Sequence, residues 1–173
     1  MAPDDAARGV LARAADWIVP LENPSGVVYG VIVIGALLAA ESGRHESYLD
    51  TVASALIAAG LYWLAHAYST VLGRRLSNNE RLTASALLAA LGHDWALVRG
   101  AAIPLVALLF AGALGATQQA AVTVGLWSAI ASLVIFELVA GIRSRARPTE
   151  LALEIGVGLA MGTAILVLKI VLH

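Results

Sequence analysis

Apolar residues fall into five long runs along the chain, separated by short polar segments. Each run approaches the roughly 20 residues that an α-helix needs to cross the hydrocarbon core of a bilayer. The pattern therefore predicts five transmembrane helices, at about residues 25–40, 49–73, 95–116, 119–142 and 151–172. The first run is short and lies between Glu22 and Glu41, so a half-buried helix that does not span is the alternative there.

The segment before the first run has an amphipathic pattern. Between Asp4 and Val19, one helical face is apolar and consists of Val10, Ala14, Trp17 and Ile18. A helix of this kind lies in the membrane interface, and Pro20 ends it. We predict an interfacial helix within residues 1–20, with a flexible tail as the alternative. The segment lacks an apolar core followed by a small-residue cleavage site, so we do not predict a removable signal peptide.

A second short helix is predicted in the polar segment between the second and third runs. The letters SNNE, from Ser77 to Glu80, match the Ser-x-x-Glu capping box, in which two side chains satisfy backbone N–H groups at a helix start. The helix would run from about Asn78 to Gly92. A bent extension of the third transmembrane helix is the alternative.

Basic residues are divided unequally between the two sides of the membrane that five spans define. The N-terminal segment and the second and fourth loops share one side. That side holds nine of the 11 basic residues, namely Arg8, Arg13, Arg74, Arg75, Arg81, Arg99, Arg143, Arg145 and Arg147. The opposite side holds Arg44 and Lys169. Because basic loops stay in the cytoplasm, we predict a cell-membrane protein with a cytoplasmic N-terminus, a cytoplasmic short helix and an outside C-terminus.

Composition supports an all-α integral membrane protein and excludes several other classes. Hydrophobic residues make up 60% and charged residues 13% of the 173 residues, and the mean hydropathy is +0.82, well above soluble domains. The length fits one membrane domain over residues 1–173, with the lipid bilayer as its partner. A net charge of -1 argues against a nucleic-acid partner, and the absence of cysteine excludes disulfides and thiolate metal sites. No enzyme motif is present, so we predict no catalytic residue, cofactor or metal.

Two pairs of glycines have the spacing that lets transmembrane helices approach closely. They are Gly26 with Gly30 and Gly158 with Gly162, each four residues apart. Each pair presents a flat strip on one helical face. The strips mark either tight contacts inside the bundle or the face of a homodimer, and both interpretations stay open.

Ionisable residues on three different predicted helices lie at a similar depth. His66 lies eight residues before Arg74, Glu137 six residues before Arg143, and Glu154 seven residues after Arg147. Arg99 is placed to join them from the start of the third helix. Such groups turn away from lipid and find partners. They form either a polar cavity that exchanges protons or cations, or a structural hydrogen-bond cluster that fixes helix packing, with Glu137 and Glu154 paired to nearby arginines.

The order of the predicted elements resembles the vacuolar iron transporter family. That family also has five spans, an amphipathic lead-in, a helical cytoplasmic insertion after the second span and a short basic fourth loop. The best local likeness is in the last two helices, VTVGLWSAIASLVIFELVAGIRSRARPTELALEIGVGLAMGTAILVLKIVL, and in AAIPLVALL of the third. The resemblance covers about half of the chain and implies the five-helix fold and a transport role.

The residues that carry metal in that family are not matched here. Its Asp-Gly pair corresponds to Ser25-Gly26, and its Gly-Glu-Tyr corresponds to Gly60-Leu61-Tyr62. The methionines are Met1 and Met161, and the insertion contributes only Glu80 in place of a run of glutamates. Ferrous iron transport is therefore not predicted.

Two functional hypotheses follow from the sequence. In the first, the chain is a small transporter-like or ion-conducting bundle of unknown substrate, with a homodimer as its expected assembly, and its site contains His66, Glu137, Glu154 and Arg99. In the second, it is a non-transporting membrane protein with a structural or assembly role, and the same residues hold the helices together.

Overall fold

The structure is a computed structural model that describes residues 23–41, 47–78, 81–144 and 147–172. Six α-helices occupy these residues, and no strand is found among them. They are α1 (Pro24–Glu41), α2 (Tyr48–Asn78), α3 (Ala84–His93), α4 (Trp95–Ala113), α5 (Gln118–Ser144) and α6 (Pro148–Leu172).

Five helical segments in the described part of the chain are long and apolar enough to cross a membrane. They are α1, α2, the joined pair α3 and α4, α5 and α6. The prediction of an all-α fold with five such helices is confirmed, and it fits a multi-pass membrane protein. The predicted interfacial helix in residues 1–20 lies outside the described residues.

The shortest predicted span, α1, is the central helix of the bundle. It packs against α2, α4, α5 and α6. Its side chains Val31, Ile34 and Leu38 are fully buried. This helix is rich in small and β-branched residues, and half of its residues are buried, so four neighbouring helices can approach it closely.

Helices α1 and α4 run in the same direction and touch through their backbones. A Cβ atom at Gly30 would collide with the carbonyl oxygen of Leu97, and one at Gly100 would collide with that of Val27. Only glycine permits this approach, because any side chain would push the helices apart. This contact sets the relative position of the starts of α1 and α4.

The polar segment after α2 folds differently from the capping-box prediction. Ser77 lies inside α2, where its hydroxyl donates to the carbonyl of Gly73 at 2.7 Å. Helix α3 begins later, and the hydroxyl of Thr83 accepts a hydrogen bond from the backbone N–H of Ala86 at 3.2 Å. The Ser77 cap is therefore wrong, because this serine bonds within the preceding helix instead. Only Asp94 separates α3 from α4, so the bent-extension alternative describes this segment better.

The helices define two ends of the bundle. At the first, α1, α4 and α6 begin and α2 and α5 end, and we call it the basic end. Its described arginines are Arg74, Arg75, Arg81, Arg99, Arg143 and Arg147. The opposite end joins α2 to α5 through a hydrogen bond of 3.0 Å from the Gln118 amide to the Thr51 hydroxyl.

Candidate functional site

The strongest polar feature within the helices is a repeated Glu-x-x-x-Gly motif. Helix α5 carries Glu137 and Gly141, and α6 carries Glu154 and Gly158. Residues four apart lie on the same helical face, so each glutamate has a glycine one turn beyond it. The two helices run in opposite directions, which brings the two motifs together in inverted order.

Each glutamate occupies the space left by the glycine of the other helix. A Cβ atom added at Gly141 would collide with Oε2 of Glu154, and one added at Gly158 would lie 3.1 Å from Cγ of Glu137. The two motifs therefore interlock: the Glu137 side chain packs over Gly158 of α6, and the Glu154 side chain packs over Gly141 of α5. Around them the contact is apolar, with Leu151 beside Gly141.

The two glutamates lie in the same helix contact, which gives them few polar partners. Both side chains are half-buried. Oε2 of Glu154 is buried without a hydrogen-bond partner. Neither glutamate forms an ion pair with another residue in the described ranges. The contact therefore holds two acidic side chains, one of which has a buried acceptor oxygen that is left unsatisfied.

A small cavity borders Glu137 beside the start of α1. Its volume is about 180 Å³, and its lining includes Pro24, Ser25, Phe136 and Glu137. Pro24 begins α1, so the positive end of that helix dipole faces the cavity. Glu137 is seven residues from the end of α5, or roughly 10 Å at the rise of an α-helix. The carboxylate pair therefore lies below the surface but within reach of it.

His66 lies in a different part of the bundle. Its ring is 6.0 Å from that of Tyr29 and 6.2 Å from that of Tyr62. Helix α2 packs on α1, α3 and α4, whereas the glutamates lie where α5 meets α6. Within the described ranges, the His66 side chain forms no hydrogen bond or ion pair with either glutamate.

Arg99 lies in a third place, a cavity of about 360 Å³ that also contacts Trp63 and Trp95. The structure thus brings Glu137 and Glu154 together and leaves His66 and Arg99 apart from them. In the residues that the structure describes, no group of three or more His, Cys, Asp or Glu side chains is placed to hold a metal ion.

The glycines that the sequence singles out all face other helices of the same chain. Gly26 meets Ala96 and Gly30 meets Leu97, both on α4. Gly158 and Gly162 meet α5, the latter at Ile130. These strips are covered inside the bundle, so they offer no exposed face to a second copy. The homodimer stays a prediction without their support.

Sequence reasoning missed a second buried polar group at the basic end. The Asn23 side chain caps α1 by accepting a hydrogen bond of 2.9 Å from the backbone N–H of Gly26. Its amide donates to the carbonyl of His93 at 3.1 Å and to Oδ1 of Asp94 at 3.4 Å. The letters NPSG carry the signal, since asparagine is a preferred N-cap and proline a preferred first helical residue.

No family model, curated protein or solved structure matches this chain. The resemblance to vacuolar iron transporters therefore stays a prediction from the sequence pattern.

Proposed function

We propose that the chain is a small transporter-like or ion-conducting membrane protein rather than an enzyme, and that Glu137 and Glu154 form its proton-binding site. The observation that carries this proposal is geometric: the buried, unpartnered Oε2 of Glu154 lies over Gly141, one helical turn from Glu137, in an otherwise apolar helix contact.

The chemistry of the pair favours a proton over a larger cation. A proton needs only one acceptor oxygen and can be shared by two carboxylates, as in other acidic dyads. Hard metal cations gather six or more oxygen ligands, and this contact supplies two side chains. The cavity beside Glu137 supplies a route by which the proton enters from the basic end. The predicted likeness to a transporter family supports the same class of function.

The second candidate is a structural role, and the interlocked packing favours it. Each glutamate fills the space over a glycine of the other helix, and a singly protonated pair would hold α5 and α6 together. The two candidates differ in whether the proton is exchanged with both sides of the membrane.

The test is proton flux in proteoliposomes driven by a potassium diffusion potential and followed with an enclosed pH-sensitive dye. Glu137→Gln and Glu154→Gln each remove one acidic group and keep the side-chain shape. We expect each to lower flux by about tenfold or more, as for loss of a proton-transfer group. Glu150→Gln is the matched control, because Glu150 lies one turn earlier on α6 and is exposed.

Unfolding temperatures of the same variants separate the two candidates. Lower flux with an unchanged unfolding temperature supports proton transfer. Wild-type vesicles that conduct no more than empty ones, together with less stable glutamine variants, would reject it in favour of the structural role.

A further inference from the structure

A cavity at the basic end is lined by two tryptophans and an arginine. It lies between α2, α3 and α4, has a volume of about 360 Å³, and is bordered by Trp63, Leu88, Leu91, Trp95 and Arg99. We call it the indole pocket. It shares no lining residue with the glutamate pair, so a ligand bound there is independent of the proposed proton site.

Hydrogen bonds and ring packing hold the walls of the indole pocket in place. The indole N–H of Trp63 donates to the carbonyl of Leu91 at 3.1 Å. The two indole rings meet edge to face, with their centroids 5.4 Å apart. On the remaining side, Asn23 binds the carbonyl of His93. The pocket is therefore formed before any ligand enters, which lowers the entropic cost of binding.

The pocket has polar groups that the described residues leave without partners. Among the described residues, no ion pair is found for Arg99 and no hydrogen-bond acceptor for the indole N–H of Trp95, a residue that is 48% exposed. Asp94 is 2% exposed and does not line the cavity; the Asn23 amide donates to its Oδ1 at 3.4 Å, and its Oδ2 is buried without a hydrogen-bond partner. The lining thus offers a cation and an N–H donor next to apolar walls. This combination suits a ligand with an anionic group joined to a hydrocarbon part.

The position of the pocket points to a lipid as that ligand. It lies where α3 and α4 join at the basic end, and Arg99 is four residues into α4. Tryptophan is enriched at the headgroup level of membranes, and basic pockets between transmembrane helices bind anionic headgroups. Leu88, at the rim, is 69% exposed and extends the apolar wall outward.

We propose that the indole pocket binds the headgroup of an anionic phospholipid. Arg99 contacts the phosphate, the Trp95 indole N–H donates to it, and Trp63 and Leu88 pack on the first methylene groups of the lipid.

The experiment is native mass spectrometry of the purified full-length protein in detergent, with phosphatidylglycerol or phosphatidylcholine added. We expect one phosphatidylglycerol to remain bound at concentrations where phosphatidylcholine does not. Arg99→Gln should weaken that binding by about tenfold, as expected for loss of one charge-assisted contact. Arg147→Gln is the matched control, since Arg147 is exposed at the same end but outside the pocket, and it should bind as the wild type does.

A second variant covers the case in which Arg99→Gln fails to fold. Leu88→Trp fills the mouth of the pocket without changing the charge, and it should also lose the bound lipid. Equal losses in Arg99→Gln and Arg147→Gln would mean that lipid gathers at the basic end without a pocket. That result, equal binding of the two lipids, or an unaffected Leu88→Trp would overturn the proposal.

Discussion

Gly141 and Gly158 have no side chain, and this leaves space in the α5–α6 contact for the side chains of Glu154 and Glu137. Glycine is usually explained in membrane helices by backbone approach, and Gly30 and Gly100 fit that explanation. The α5–α6 contact uses glycine differently, because the space is taken by glutamates rather than by backbone. A change of glycine there should act on the acidic pair as well as on packing.

Gly141→Ala should therefore impair both stability and proton flux. The added methyl group collides with the Glu154 carboxylate, and overpacking of this kind costs about 1–3 kcal/mol. Thermal unfolding in detergent and the proteoliposome flux measure the two effects. Gly156→Ala is the control on α6, since nothing lies within 4 Å of its Cβ position, and it should be neutral or slightly stabilising. If both variants behave alike, Glu154 is not held by Gly141.

The same residues show what the sequence does and does not determine about the site. Glu137, Glu154 and His66 can be assigned a depth from the rise per residue, and the two glutamates do meet. Depth does not say in which direction a side chain points around its helix, and that direction decides which side chains meet. Polar and apolar residues are spread around helix α2 without a preferred side, so no amphipathic stripe marks its inner face. Depth alone groups His66 with the glutamates, whereas α2 packs on other helices.

At the scale of the element, hydropathy predicts the helices well and their ends less well. The five apolar runs correspond to helices because chain length and hydrophobicity are properties of local sequence. Helix α2 continues to Asn78, past Arg74 and Arg75, because arginine is a good helix former and its charge does not end a helix. The central place of α1 is not predictable from its length, since it depends on neighbours that come later in the chain.

The close contact between α1 and α4 leads us to predict how alanine substitutions at its glycines change the free energy of unfolding. Gly30→Ala or Gly100→Ala places a methyl group against a backbone carbonyl of the other helix, and backbone cannot move aside as a side chain can. We expect each to lower the free energy of unfolding by about 1–3 kcal/mol or more. Gly60→Ala is the control, because its Cβ position has nothing within 4 Å and alanine raises helix propensity. Thermal unfolding that ranks Gly60→Ala with the other two would contradict this account of the crossing.

At the scale of the whole molecule, the described arginines gather at one end of the bundle. Successive membrane-length helices begin at alternate ends of the bundle, so Pro24 and Leu172 lie at opposite ends. The unequal distribution of arginine predicts which end faces the cytoplasm. The orientation depends on how the membrane retains basic loops on the cytoplasmic side. The packing of the helices against each other does not determine it.

Cysteine labelling tests the orientation directly, because the chain has no cysteine of its own. Leu76→Cys lies at the basic end and Leu114→Cys at the opposite end, at side chains that are 78% and 73% exposed. In intact cells, a membrane-impermeant maleimide should label the cysteine at 114 and reach the one at 76 only after lysis. The reverse pattern would invert the predicted orientation, and labelling of both in intact cells would reject five spans.

The enclosed position of α1 has a consequence for how the protein is made. Three of its four neighbours follow it by more than fifty residues along the chain. Because synthesis runs from the N-terminus, α1 completes its packing only after α4, α5 and α6 have been made. Assembly of the bundle is therefore complete only when α6 packs against a helix made more than 100 residues earlier.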